Sequence, residues 1–306
     1  MLPTGRRHLA TNLDQAPTMR AAIIGARGQL GTELTTLLGD EVVPLTRDEL
    51  DITDQPAVLR TLREVQPDVV INAAAWNGVD LAEEQPSAAF AVNALGPRHL
   101  AMFCGLEEVP LVHVSTDYVF GLDSGHAVPW REEDPPGPAS AYGVSKLSGE
   151  YFARSVPQHF IIRTCGLYGR TPKPGYGNFV QTMLRLGHER DELCVVDDQH
   201  CTPTSVRDLA SAIHSLVKTG AFGLYHVTNS GRTTWYGFAS EIFRQAVIDV
   251  HLRPITTTEY GAPAARPAFS VLDCSKFEAT TGQMLRSWQE ALADYLAETP
   301  LAHGGS

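Results

Sequence analysis

The chain is predicted to adopt an α/β fold, a doubly wound parallel sheet carrying a smaller C-terminal lobe. Three features point there: short apolar runs alternate with amphipathic stretches of helical length, a glycine-rich turn follows the first run, and this rhythm changes after Arg170. Apolar strands separated by helices indicate a parallel sheet covered on both faces. The first strand is Arg20–Ile24, broken by Gly25–Gly31 and continued as a helix through Leu38. A strand at Val42–Leu45, a helix at Gln55–Val65 and a strand at Val69–Ile71 follow. Next come a long helix over Pro86–Cys104, a strand at Leu111–Val114, a helix at Tyr142–Arg154 and a strand at Phe160–Arg163. Beyond Arg170, helices at Phe179–Arg190, Val206–Lys218 and Tyr236–Ile248 alternate with strand-like pieces at Cys194–Val196 and Leu224–Val227. The division read from this is a polar, disordered leader at 1–18, a nucleotide-binding domain at 19–170 and a mainly substrate-binding lobe at 171–299. The boundary is approximate, because the chain can cross back.

Composition narrows the partners. The 306 residues are 43% hydrophobic and 19% charged, with a net charge of −11. That is the profile of a folded protein. An acidic chain with no basic cluster is a poor match for nucleic acid or an anionic membrane. A nucleotide remains compatible, since backbone N–H groups can hold phosphates in an acidic protein. No apolar run reaches the ~20 residues of a membrane span. Five cysteines without CxxC spacing, and no secretory signal, predict reduced thiols in a cytoplasm. His200-Cys201 lacks the second spaced pair a metal–thiolate site needs.

Gly25-x-x-Gly28-x-x-Gly31 lies between the first strand and its helix. Glycines there permit a tight turn, close approach of backbone to a pyrophosphate and close helix–strand packing, with the helix N-terminus facing the anion. This is a Rossmann-type dinucleotide signature, and its GxxGxxG spacing is typical of extended short-chain dehydrogenase/reductases. After the second strand the chain has Thr46-Arg47 in place of an acidic residue, and Arg27 lies inside the turn. Two guanidinium groups near an adenosine ribose favour a 2′-phosphate, hence NADPH with NADH tolerated; Arg47 can equally be solvated surface.

Tyr142-Gly143-Val144-Ser145-Lys146 opens a helix and puts phenol and ammonium on one face. Carbonyl reduction needs an acid for the developing alkoxide, and a nearby cation favours the phenolate of an otherwise weakly acidic tyrosine. The hydroxyl of Thr116, at the end of the fourth strand, is the expected third member.

With these residues in place the chain resembles the dTDP-4-dehydrorhamnose reductase family over about residues 19–299. The supporting motifs are Gly25–Gly31, Leu50–Asp54, Pro67–Ala75, Val79-Asp80-x-Ala82-Glu83, Ser115–Phe120, Tyr142–Glu150, Asp198-Gln199-x-x-x-Pro203-Thr204 and Arg266-Pro267-x-x-Ser270-x-Leu272-Asp273. The resemblance implies hydride transfer from NAD(P)H to a dTDP-linked 4-keto-6-deoxy sugar. It implies Tyr142 as proton donor, Lys146 as its tuner and cofactor ligand, and Thr116 as substrate contact. Gly28, Gln29, Leu30 and their turn would line the pyrophosphate, Asp51 and Ile52 the adenine, and Ala73, Ala74, Ala75, Trp76 and Asn77 the path to the nicotinamide. Thr116, Asp117, Tyr118, Val79 and Gly166 would face the sugar. It further implies a magnesium ion between the subunits of a homodimer, held by Glu33, Glu189 and Glu298.

Two positions depart from the family: Trp76-Asn77 after the triple alanine, and Gly166 where the family places a tryptophan against the sugar. Gly166 would make room for a changed ring geometry, so a dTDP-dihydrostreptose synthase acting on the same keto-sugar in aminoglycoside biosynthesis stands as the alternative. A non-catalytic NADP-binding regulatory subunit is the alternative of another class.

Overall fold

A computed structural model describes residues 19–170 and 177–298; the expected leader at 1–18 lies outside the described residues. Strand β1 is Ala21–Ile24, followed by α1 (Gln29–Leu38), β2 (Val42–Leu45), α2 (Gln55–Val65) and β3 (Val69–Asn72). Short helices α3 (Val79–Glu84) and α4 (Pro86–Phe90) precede α5 (Gly96–Glu107), β4 (Leu111–Thr116), α6 (Ala141–Ala153) and β5 (His159–Thr164). Then come β6 (Leu167–Tyr168), α7 (Phe179–Glu189), β7 (Glu192–Val196), β8 (His200–Cys201), β9 (Thr204–Ser205), α8 (Val206–Thr219) and β10 (Gly223–His226). The last described elements are β11 (Thr233–Thr234), α9 (Trp235–Ala246), β12 (His251–Ile255), α10 (Thr257–Tyr260), α11 (Ser275–Thr281) and α12 (Trp288–Glu298).

Six strands form one parallel sheet in the order β2-β1-β3-β4-β5-β10. The chain steps outward from β1 to β2 and then crosses back to β3 on the other side of β1. Strand order therefore reverses between β1 and β3, where open α/β sheets bind their ligands. Strands β1 and β3 are buried at every position, as strands covered on both faces must be. Apolar residues of α1, α8 and α11 pack on one face, and those of α2, α5 and α6 on the other. Helix α8 and strand β10 thus lie with the six-stranded sheet although they come after Arg170. A second core gathers α7, α9 and α12 around the parallel pair β7–β12.

The helix expected over Pro86–Cys104 is interrupted. A single π turn, Ala91–Leu95, joins α4 to α5. Pro97 offers no N–H to the carbonyl four residues earlier, and the wider turn absorbs that missing bond. The freed carbonyl of Asn93 faces Gly149 of α6, where a Cβ would stand only 2.2 Å from it. The kink thereby lets α4–α5 and α6 approach closely beside the site.

Behind α6 lies a buried ion pair. Arg163 of β5 donates from Nε and Nη2 to the two carboxylate oxygens of Glu150 at 2.9 and 2.8 Å, and the Ser115 hydroxyl adds a third bond at 2.6 Å. With both carboxylate oxygens bonded, the charges compensate each other and tie α6 to β4 and β5.

Candidate active site

The glycine turn is defined by backbone contact. Gly25 has φ +80°, and a Cβ there would meet Ala74 N at 2.8 Å, at the reversal point between β1 and β3. A Cβ on Gly31 would lie 2.3 Å from Gly25 O, so only glycine lets α1 start against the end of β1. Gly28 is the N-cap of α1 and supplies no side-chain acceptor to the first amides, which include those of Gln29, Leu30 and Gly31. Leu30 is buried in the core, and the Gln29 side chain accepts from Asn178 Nδ2 at 3.0 Å. Arg27 and Arg47 project at the same edge with carboxylate partners: Arg27 to Asp48 at 2.6 Å and Arg47 to Asp51 at 3.6 Å. Asp51 is further held by the N–H and hydroxyl of Thr53. Ile52 turns its side chain inward against Gly96, which leaves it 4% exposed.

Residues 73–77 leave β3 beside this turn. Ala73 N bonds to Ile24 O and Ala74 N to Asn72 Oδ1, which fixes the path through Ala75. Asn93, in the π turn, then holds both backbone groups of Trp76: its Oδ1 accepts from Trp76 N at 2.8 Å and its Nδ2 donates to Trp76 O at 3.0 Å. The same Nδ2 reaches Ser145 Oγ at 3.0 Å, so one amide couples this loop to the helix carrying Tyr142. Trp76 and Val79 pack against Tyr142, while Asn77 is exposed.

Tyr142 and Lys146 stand one turn apart on α6, whose N-cap Ser140 accepts from Gly143 N. Thr116 ends β4; its hydroxyl donates to Asp117 Oδ1 at 3.1 Å and accepts from Tyr118 N at 3.2 Å. Burial pushes the Tyr142 phenol up, a hydrogen bond with Thr116 draws it partly back, and the neighbouring Asp117 and Cys165 side chains push it up further. The sequence reading had the Lys146 ammonium favouring a phenolate. The structure differs: Lys146 Nζ donates to Val114 O at 2.7 Å and is not among the groups that shift the phenol. Burial lowers Lys146 to about 8, against the pull of Glu150 one turn on. At neutral pH the site holds a protonated phenol beside a charged ammonium. Burial also raises the Asp117 carboxyl.

The Tyr118 ring meets Tyr142 edge-on, with centroids 5.7 Å apart, and lines a cavity of about 740 Å³. Phe179, Met183, Trp235, Arg190, Arg253 and Arg266 also line it. Arg266 is anchored to Asp80 of α3 by two bonds of 3.0 and 2.8 Å.

The sequence model of the RmlD substrate binding domain family matches residues 19–300. The chain belongs to that family. It is 44% identical over 289 residues to a dTDP-4-dehydrorhamnose reductase of Streptomyces griseus, covering 91% of this chain and 93% of that one. It is 40% identical over 285 residues to a probable dTDP-4,6-dihydroxy-2-methyloxan-3-one 4-ketoreductase of Streptomyces antibioticus, covering 90% and 94%. A crystal structure of dTDP-4-dehydrorhamnose reductase from Bacillus anthracis in complex with NADP superposes with a TM-score of 0.87 at 39% identity, covering 92% of this chain and all of that one.

In this RmlD-family chain two of the three glutamates implied for magnesium converge on one arginine, and each of the three has an arginine partner. Glu298 takes Arg207 at 2.7 Å and Arg170 at 2.9 Å, Glu33 lies 3.5 Å from the same Arg207, and Glu189 pairs with Arg185 of its own helix. Carboxylates already matched to guanidinium groups are poor ligands for a hard cation. Among the described residues no group of three or more His, Cys, Asp or Glu side chains of one chain is placed to hold a metal ion. Nor does Gly166 leave the opening its bareness suggested: a Cβ there would meet Pro203 Cα at 3.2 Å and the Trp235 ring at 3.5 Å. Among the described residues no helix is long and apolar enough to cross a membrane.

Sequence reasoning missed Asn93, Asn178, Arg266 and Trp235 as parts of the site. Arg266 has a signal in the sequence, since it opens the motif Arg266-Pro267-x-x-Ser270-x-Leu272-Asp273. The others gave none, because each acts on a distant segment.

Proposed function

We propose that the chain is an NADPH-dependent reductase of a dTDP-linked 4-keto-6-deoxy sugar of the dTDP-4-dehydrorhamnose type. The observation that carries this reading is Tyr142, a buried and protonated phenol in edge contact with Tyr118 of the cavity wall. The names of the close relatives and the NADP-bound neighbour support the same reading. The dinucleotide fits because Gly25 and Gly31 let the first strand, its turn and α1 pack closely, and the first amides of α1 have no side-chain cap; its nicotinamide supplies the hydride when bound.

The chain's own residues do the rest. The first amides of α1 hold the pyrophosphate, and Arg27 and Arg47 favour a 2′-phosphate over a bare ribose. The Tyr142 hydroxyl gives its proton to the ketone oxygen as negative charge develops there. The Thr116 hydroxyl orients that oxygen, and the Lys146 ammonium serves as a ligand for the hydroxyls of the nicotinamide ribose. Arg190, Arg253 and Arg266 offer charge-assisted bonds to the diphosphate. A regulatory subunit would need none of this apparatus. The dihydrostreptose alternative has no observation in its favour.

The test is to incubate the protein with dTDP-4-dehydrorhamnose and NADPH and identify the product by NMR. One NADPH consumed per dTDP-6-deoxyhexose formed is expected; a product made without loss of NADPH would contradict the reading.

A further inference from the structure

Thr164, the last residue of β5, is paired with Thr116, and Gly166 lies two residues beyond it. The bare backbone of Gly166, at φ +55°, therefore stands just past the strand end that pairs with Thr116. What covers it comes from far along the chain. The Cη2 atom of Trp235 lies 3.5 Å from where a Gly166 Cβ would be, an ordinary van der Waals contact, so a side chain larger than a methyl at this position would run into the indole. Trp235 is the first residue of α9 and is held from two sides. The Thr234 cap accepts from Gly237 N at 3.0 Å and donates to Asp197 at 2.6 Å. The Phe179 ring packs on the indole with centroids 4.8 Å apart. The indole is only half-buried and shares the cavity with Tyr118, the residue in edge contact with Tyr142.

We propose that Trp235 determines specificity for the sugar half of the substrate, its indole receiving the apolar face of the 6-deoxy ring while the nucleotide is held elsewhere. The inference rests on the reductase reading above. A 6-deoxy hexose presents C–H groups and a methyl on one side, surfaces that gain from an aromatic plane and make no use of the charged groups that suit a diphosphate. Tyr118 and Trp235 then form the two walls between which the ketone is presented to Tyr142. Gly166 serves this arrangement by leaving its own position empty of side chain.

The experiment compares Trp235→Ala and Trp235→Phe with the wild type in three constants: KM for the keto-sugar nucleotide, Ki for dTDP alone, and Kd for NADPH. Trp235→Ala is expected to raise KM roughly tenfold, with the other two constants held within about twofold. Trp235→Phe, which keeps a ring against Phe179, is expected to recover most of the loss. Should the alanine variant fail to fold, Trp235→Leu is read by the same constants. An unchanged KM, or a Ki for dTDP that weakens in parallel, would overturn the assignment. Wild-type protein that consumes no NADPH with the keto-sugar would defeat the reductase reading instead, so the two failures are distinguishable.

Discussion

The glycine turn and the cavity wall are built by opposite means. At the turn the decisive atoms are backbone: Gly25 against Ala74, Gly31 against Gly25 O, Gly28 capping a helix without a side chain. Around the cavity they are side chains from well-separated segments: Tyr118 after β4, Phe179 of α7, Arg253 of β12, Trp235 of α9 and Arg266 beyond α10. The difference is physical. A pyrophosphate carries the same charge in every dinucleotide, so fixed N–H groups serve it. Different sugars require different surfaces, and side chains from several elements can be exchanged without disturbing the sheet.

The largest effect expected concerns Tyr142, whose ring touches Tyr118 of the cavity wall. Tyr142→Phe removes the proton without altering the packing against Tyr118, so kcat should fall by roughly 10²–10⁴-fold. NADPH affinity, measured by fluorescence titration, should stay near that of the wild type. A substitution confined to the turn should do the reverse. Gly31→Val places a branched side chain where a Cβ already lies 2.3 Å from Gly25 O. The expected result is loss of NADPH binding together with destabilisation of about 1–3 kcal/mol, read by chemical denaturation.

A third test separates chemistry from folding by pH. Lys146 is lowered from 10.5 to about 8, so the free enzyme loses this ammonium as pH rises through about 8. The kcat/KM for NADPH should decline above that point, and Lys146→Arg should lack this limb of the profile. Stability should not follow. The unfolded chain keeps the lysine proton between about 8 and 10.5 while the folded chain has released it, so this group's contribution to stability rises over that window. Opposite trends in rate and stability would identify Lys146; parallel trends would point to alkaline unfolding.

The smallest effect belongs to the edge of the turn. Arg27 and Arg47 are exposed and matched by Asp48 and Asp51, so a 2′-phosphate competes with carboxylates already in place. Arg27→Ala or Arg47→Ala should lower the NADPH-to-NADH preference only about three- to tenfold each. A ratio unchanged in both variants would leave cofactor choice to backbone contacts alone.

The same contrast explains what could be read from the sequence. The strand–turn–helix unit at Ala21–Leu38 is contiguous, and its three glycines state their purpose by spacing. Tyr142 and Lys146 are likewise neighbours on one helix. Trp235 carries no such label, since an apolar residue opening an amphipathic helix is ordinary. Gly166 misled for that reason: an absent side chain suggests space, and the indole that fills it belongs to an element far along the chain. The charge logic at Tyr142 failed differently. Helical spacing brings the ammonium near, but burial of both groups, with Glu150 pulling on Lys146, decides their protonation. Asn93 escaped notice because its function comes from a kink created by Pro97, a consequence of packing rather than of pattern.

The central claim is that this chain moves a hydride onto a sugar ketone and a proton from Tyr142 onto its oxygen. Turnover of dTDP-4-dehydrorhamnose with NADPH deuterated on the transferring face of its nicotinamide tests it most directly, with the product read by NMR. The account predicts one deuterium on the carbon that had been the ketone, and loss of that product in Tyr142→Phe. A product with no deuterium at that carbon, or full turnover by the phenylalanine variant, would contradict it.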